Sequence, residues 1–135
     1  MKRNKAEKII HGAARCIKTR LLVASGGRLP RSLAGWHRLC LKLGVEPAPL
    51  FRSPSRFRAR LIVTEQGAFA FYNRYADART ICRWLAHELA EKMALDDLPT
   101  LFDAMPMIAD YSGGTDPYKL HHRIAQRVEV LCFRK

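Results

Sequence analysis

The chain has 135 residues, one domain's worth, and its 24 Lys and Arg against 12 Asp and Glu give a net charge of +12. With 48% apolar residues it is no disordered basic tail. It contains no apolar run of the length a membrane span or signal peptide needs, so it reads as a cytoplasmic protein with no membrane partner.

The charge is uneven. Residues 1–20 hold seven Lys and Arg against one Glu, and residues 50–60 add Arg52, Arg56, Arg58 and Arg60. Between Asp77 and Asp116 the sign reverses, with eight Asp and Glu against Arg79, Arg83 and Lys92. A pure nucleic-acid-binding module has little reason to collect carboxylates in its centre, so these are candidates for chemistry. Four cysteines, Cys16, Cys40, Cys82 and Cys132, lie far apart without a Cys-x-x-Cys, which points to buried free thiols rather than a thiolate metal site.

In chain order, Ile9, Ile10, Ala13, Ile17, Leu21 and Leu22 recur at three- and four-residue spacings and predict a basic amphipathic helix from Lys5 to about Ala24. Ser25-Gly26-Gly27 ends it. Ser32, Leu33, Trp36, Leu39 and Leu43 predict a second helix stopped by Gly44. From Val45 to Pro54 three prolines forbid a regular helix, and the stretch reads as a connection with room for a short strand near Val45.

Residues 58–64 and 68–72 are β-branched or aromatic runs around Glu65-Gln66-Gly67, a hairpin signature. From about Asp77 to Leu95, Ile81, Leu85, Leu89 and Met93 fall on one helical face. Pro99 and Pro106 break up the segment beyond that helix, and Leu120, Ile124, Val128 and Leu131 predict a last helix. The pattern is α+β in a single domain spanning residues 1–135: mostly helical, with a small antiparallel sheet packed against helices and no βαβ series.

The central helix contains His87-Glu88-Leu89-Ala90-Glu91. His87 and Glu91 are four residues apart, so their side chains emerge one above the other and can share an ion. Glu88, about 100° further round the helix, can reach a water on that ion. The pattern resembles the metallohydrolase motif H-E-x-x-H with its last ligand changed, although Glu and Ala also make it a common solvated helix. Such a zinc site needs a third protein ligand. The candidates are His121, His122 and Glu129 on the last helix, and periodicity leaves the choice among them open.

The whole chain resembles the ImmA/IrrE-like family of intracellular zinc metallopeptidases. The resemblance rests on Leu43-Gly44-Val45, on Ala70-Phe71-Tyr72-Asn73 at the end of the small sheet, and on Arg83-Trp84-Leu85-Ala86-His87-Glu88. The family's downstream Glu-x-x-Ala-Asn-x-Phe-Ala pattern is matched by His122 to Glu129, with His122 on the ligand position and Gln126 on the Asn. Two departures thereby become one exchange. The second helix ligand is Glu91 instead of His, the later ligand is His122 instead of Glu, and the set stays two imidazoles and one carboxylate.

The resemblance implies a zincin-like fold and a Zn2+ site of His87, Glu91 and His122, with Glu88 acting on the bound water. Tyr111 would stabilise the oxyanion, and Asp110 or Asp116 would orient a ligand histidine. It also implies a zinc-dependent endopeptidase that cleaves a transcriptional repressor or another regulatory protein, phage-associated in setting. The alternative is a catalytically inactive interaction protein of the same fold, binding a phage or regulatory partner or DNA. The basic first half leaves room for nucleic-acid contact, although no zinc finger or single-stranded RNA signature accompanies it.

Overall fold

The structure, a computed structural model, describes residues 2–50, 57–104 and 117–133. Its elements are α1 (Lys2–Ala24), α2 (Leu33–Lys42), β1 (Val45–Leu50), β2 (Ala59–Thr64), β3 (Gly67–Asn73), α3 (Ala78–Ala104) and α4 (Pro117–Phe133). Among the described residues no helix is long and apolar enough to cross a membrane.

Helix α1 buries Ile10, Ile17 and Leu21 of the predicted stripe together with Ala14, while Ile9, Ala13 and Leu22 are partly buried. It ends where Gly26 and Gly27 take φ of 80° and 100°, which lets the Gly27 N–H close back on the Leu22 carbonyl at 2.7 Å. Ser32 caps α2 by accepting the Gly35 N–H at 3.0 Å, and Trp36, Leu39 and Cys40 face inward. The central helix is capped by Asp77, which accepts the Thr80 N–H at 2.8 Å. Ile81, Leu85, Leu89 and Ala90 of α3 form the middle of the core with Leu120, Ile124 and Val128 of α4.

The sheet corrects the sequence reading. It has three strands in the order β1-β3-β2 and is mixed rather than antiparallel: β2 runs against β3, but β1 pairs with β3 in parallel. The prolines of β1 made it read as a connection. Pro47 and Pro49 share one parity and β1 is an edge strand, so their missing N–H groups can fall on the open side while residues 46, 48 and 50 serve the ladder. The hairpin prediction holds, with β3 presenting Ala68, Ala70 and Tyr72 to the core.

Pro99 likewise does not end the central helix, which continues to Ala104. An interior proline costs a helix about 3 kcal/mol. Here the turn leading into the proline is anchored by Leu98, which is buried, and by Asp97, which pairs with Arg20 of α1 at 2.6 Å.

All four cysteines are free, but Cys16 is exposed, against the expectation of buried thiols. Burial pushes the Cys40 thiol up to about 12 and the Cys132 thiol up to about 11. Iodoacetamide at about pH 8 should therefore modify Cys16 in the native protein and spare Cys40, as read by peptide mass. Labelling of Cys40 at the rate of Cys16 would contradict this packing.

Candidate metal centre

Helices α3 and α4 pack along one another and bring His87, Glu91 and His122 into one cluster, a group that could hold a metal ion. Glu91 Oε1 lies 3.1 Å from His87 Nε2 and 2.7 Å from His122 Nδ1, and the two ring nitrogens are 3.4 Å apart. Zinc with bonds of about 2.0–2.1 Å holds neighbouring tetrahedral ligands about 3.3 Å apart. Two of the three separations are close to this spacing, and opening the third, Glu91 Oε1 to His122 Nδ1, by about 0.6 Å would make the donor atoms one face of such a tetrahedron, in a donor set of two imidazoles and a carboxylate. The fit is chemical as well as geometric, since borderline ligands of this kind suit zinc and other first-row divalent ions.

The cluster is sheltered but reachable. The His87 and Glu91 side chains are 12% and 8% exposed, whereas His122 is 38% exposed and forms the open side. It sits in a groove of about 780 Å³ whose other walls include Arg58 and Ala59 at the start of β2, Trp84, and Gln126 and Val130 of α4.

The second ring nitrogen of His87 has a carboxylate of its own. Glu129 Oε1 lies 3.4 Å from His87 Nδ1, while Glu129 Oε2 accepts from Arg83 Nη2 at 2.9 Å and Nε at 3.2 Å. Glu129, one of the three candidates for the third ligand, is therefore the partner that orients His87. With the Nδ1 proton directed at Glu129, the Nε2 lone pair is left for an ion. This is the task the sequence reading gave to Asp110 or Asp116, which lie outside the described residues, as does Tyr111.

His121 is buried at 5% exposure and is not in the donor cluster, so the choice between the adjacent histidines falls on His122. Sequence reasoning did not give Arg83 a role. Its signal is the spacing of four from His87, which stacks the two on one helical face.

The charges of the cluster are closely linked. Burial works against a charged His87 ring, but Glu129 and Glu91 outweigh it and raise this histidine to about 9. Burial also opposes ionisation of Glu91, yet the flanking imidazoles hold it below the usual carboxylate range. The hydrogen bond from His87, and after it the one from Arg83, does the same for Glu129. A ring with a carboxylate on either side carries a proton at neutral pH, and a divalent ion competes for that place.

Glu88 behaves differently. It is buried, its Oε2 has no hydrogen-bond partner among the described residues, and the Leu61 N–H of β2 donates to the carboxylate. Burial, then the neighbouring Glu91 charge, pushes Glu88 up to about 7. Two carboxylates three positions apart thus have opposed tendencies, one held ionised and the other poised near neutrality.

Comparison of the chain with protein-family models, curated proteins and solved structures finds no match. The geometry of the site itself is what bears on its chemistry.

If Glu129 fixes the orientation and basicity of His87, Glu129→Gln should weaken zinc binding about 10–100-fold while leaving stoichiometry at saturation unchanged. Competition with a chromogenic chelator measures this. Unchanged affinity in a folded variant would remove Glu129 from the site.

Proposed function

We propose that the chain is a zinc-dependent endopeptidase of the ImmA/IrrE-like, zincin-like kind, acting on a repressor or another regulatory protein. The observation that carries this reading is the convergence of His87, Glu91 and His122 beside a buried Glu88 whose Oε2 has no hydrogen-bond partner among the described residues.

His87 Nε2, Glu91 Oε1 and His122 Nδ1 would hold the ion, the first fixed by Glu129 and the second by both rings. A zinc ion held by these residues would supply Lewis acidity toward a peptide carbonyl and a water. Glu88 provides the proton relay. Its carboxylate, with Oε2 free of any hydrogen-bond partner among the described residues, would accept a proton from the attacking water and return it to the departing amine. The Leu61 N–H holds one carboxylate oxygen and leaves Oε2 for this exchange.

A polypeptide suits the groove because β2 is a free sheet edge at its wall. The Asn73 N–H pairs with the Arg58 carbonyl, so alternation along the antiparallel ladder turns the backbone groups of residues 59, 61 and 63 outward, and with the Leu61 N–H taken by Glu88 those of residues 59 and 63 are left for pairing. An extended segment laid against that edge gains main-chain hydrogen bonds beside the ligands. Bond cleavage in the middle of a chain suits a groove open at the His122 side rather than a closed pit.

Glu88→Gln keeps the size of the side chain and removes its proton chemistry. It should lower cleavage of an extended protein substrate about 10²–10⁴-fold while retaining one zinc per chain. Gel-resolved cleavage of candidate repressors, beside metal analysis of the same samples, reads both quantities. Equal cleavage by wild type and variant would refute the role of Glu88, and a zinc-loaded wild type that cleaves nothing would favour the inactive interaction protein.

A further inference from the structure

Away from the metal cluster, the loop joining α1 to α2 carries a second feature that the peptidase reading does not use. Two hollows adjoin there, of about 530 Å³ and 890 Å³, and Arg28, Pro30, Arg31 and Ser32 line both. Arg38 and Lys42 complete the basic lining of the first, and Lys18 and Arg79 that of the second. Neither lining contains a carboxylate.

The cations here differ from the ion-paired ones elsewhere in the molecule. Arg20, Arg83, Lys92, Arg123 and Arg127 each have a carboxylate partner. Among the described residues, Arg28, Arg31, Arg38 and Arg79 take part in no ion pair, and all four are exposed. Lys8, Arg15 and Arg60 are also exposed and outside every ion pair, but they line neither hollow. The nearby carboxylate of Asp77 is engaged in capping α3 through Thr80.

We infer that this face binds the phosphate backbone of a nucleic-acid duplex, with Arg28, Arg31, Arg38 and Arg79 as the principal contacts. Guanidinium forks match phosphate oxygens, and unpaired arginines have no internal bond to give up on binding. The same hollows offer little stacking surface, because Trp36 is 1% exposed and the partly buried Phe133 has one ring face against it, with centroids 5.7 Å apart. Single-strand binding relies on such platforms, so contact is through the backbone, independent of sequence and sensitive to salt. This inference rests on the basic face alone and stands or falls apart from the peptidase reading.

Fluorescence anisotropy with a labelled mixed-sequence DNA duplex of about 20 base pairs, over about 50–200 mM salt, tests it. Each phosphate contact contributes about 0.9 to the slope of log affinity against log salt, so R28Q/R31Q/R38Q should lower the slope by about 2.7. The charge-matched control K8Q/R15Q/R60Q should keep the wild-type slope. Circular dichroism and thermal unfolding of both variants report the fold. Equal losses in the two variants would reduce the effect to net charge and overturn the inference. Tighter binding of single-stranded DNA, polyglutamate or phosphatidylserine vesicles than of the duplex would overturn it as well.

Discussion

Glu91 Oε1 is shared by two imidazoles from two different helices, and the architecture around it serves that meeting. His87 comes with Glu91 for nothing more than the pitch of α3, four residues apart. His122 arrives only because α4 packs lengthwise on α3 through Leu85, Leu89, Leu120, Ile124 and Val128. Burial of these side chains, at ~1.5–3 kcal/mol each, drives the packing that fixes the separation of the two rings. The sheet completes the arrangement by laying β2 across the groove wall, where the Leu61 N–H holds Glu88.

Charge organises the same region. In a protein of net charge +12, carboxylates at Glu88, Glu91 and Glu129 surround one histidine, and each is set differently. Glu91 is ionised by its two imidazoles, Glu129 by His87 and the Arg83 guanidinium, and Glu88, lacking a cation of its own, is driven toward the neutral form. Separating the tendencies of neighbouring carboxyl groups would let one site both hold a metal and move a proton, the two roles proposed for it. The basic face around Arg28 and Arg31 lies on a different hollow and leaves this balance untouched.

Much of this was legible in the sequence because it is local. Apolar spacing located the helices, Gly26 and Gly44 their ends, and the interval from His87 to Glu91 a shared helical face. Pro47 and Pro49 hid β1, since the rule against proline in strands relaxes at an open edge, and edge position is a property of the assembled sheet. Pro99 looked like a stop because the anchors that hold the turn, Arg20 and the surrounding core, come from elsewhere in the chain. On α4, periodicity placed His122 and Glu129 on one face but could not tell which turn lies opposite Glu91. Only the register of α3 against α4 assigns the first to the cluster and the second to the far nitrogen of His87.

The most direct test is diffraction from crystals of the zinc-treated protein, collected on both sides of the zinc absorption edge. The account predicts a single strong anomalous peak among His87 Nε2, Glu91 Oε1 and His122 Nδ1, with Glu129 on His87 Nδ1. A zinc peak bound by His121 instead of His122, or an intact α3–α4 pair with no peak at this cluster, would contradict it.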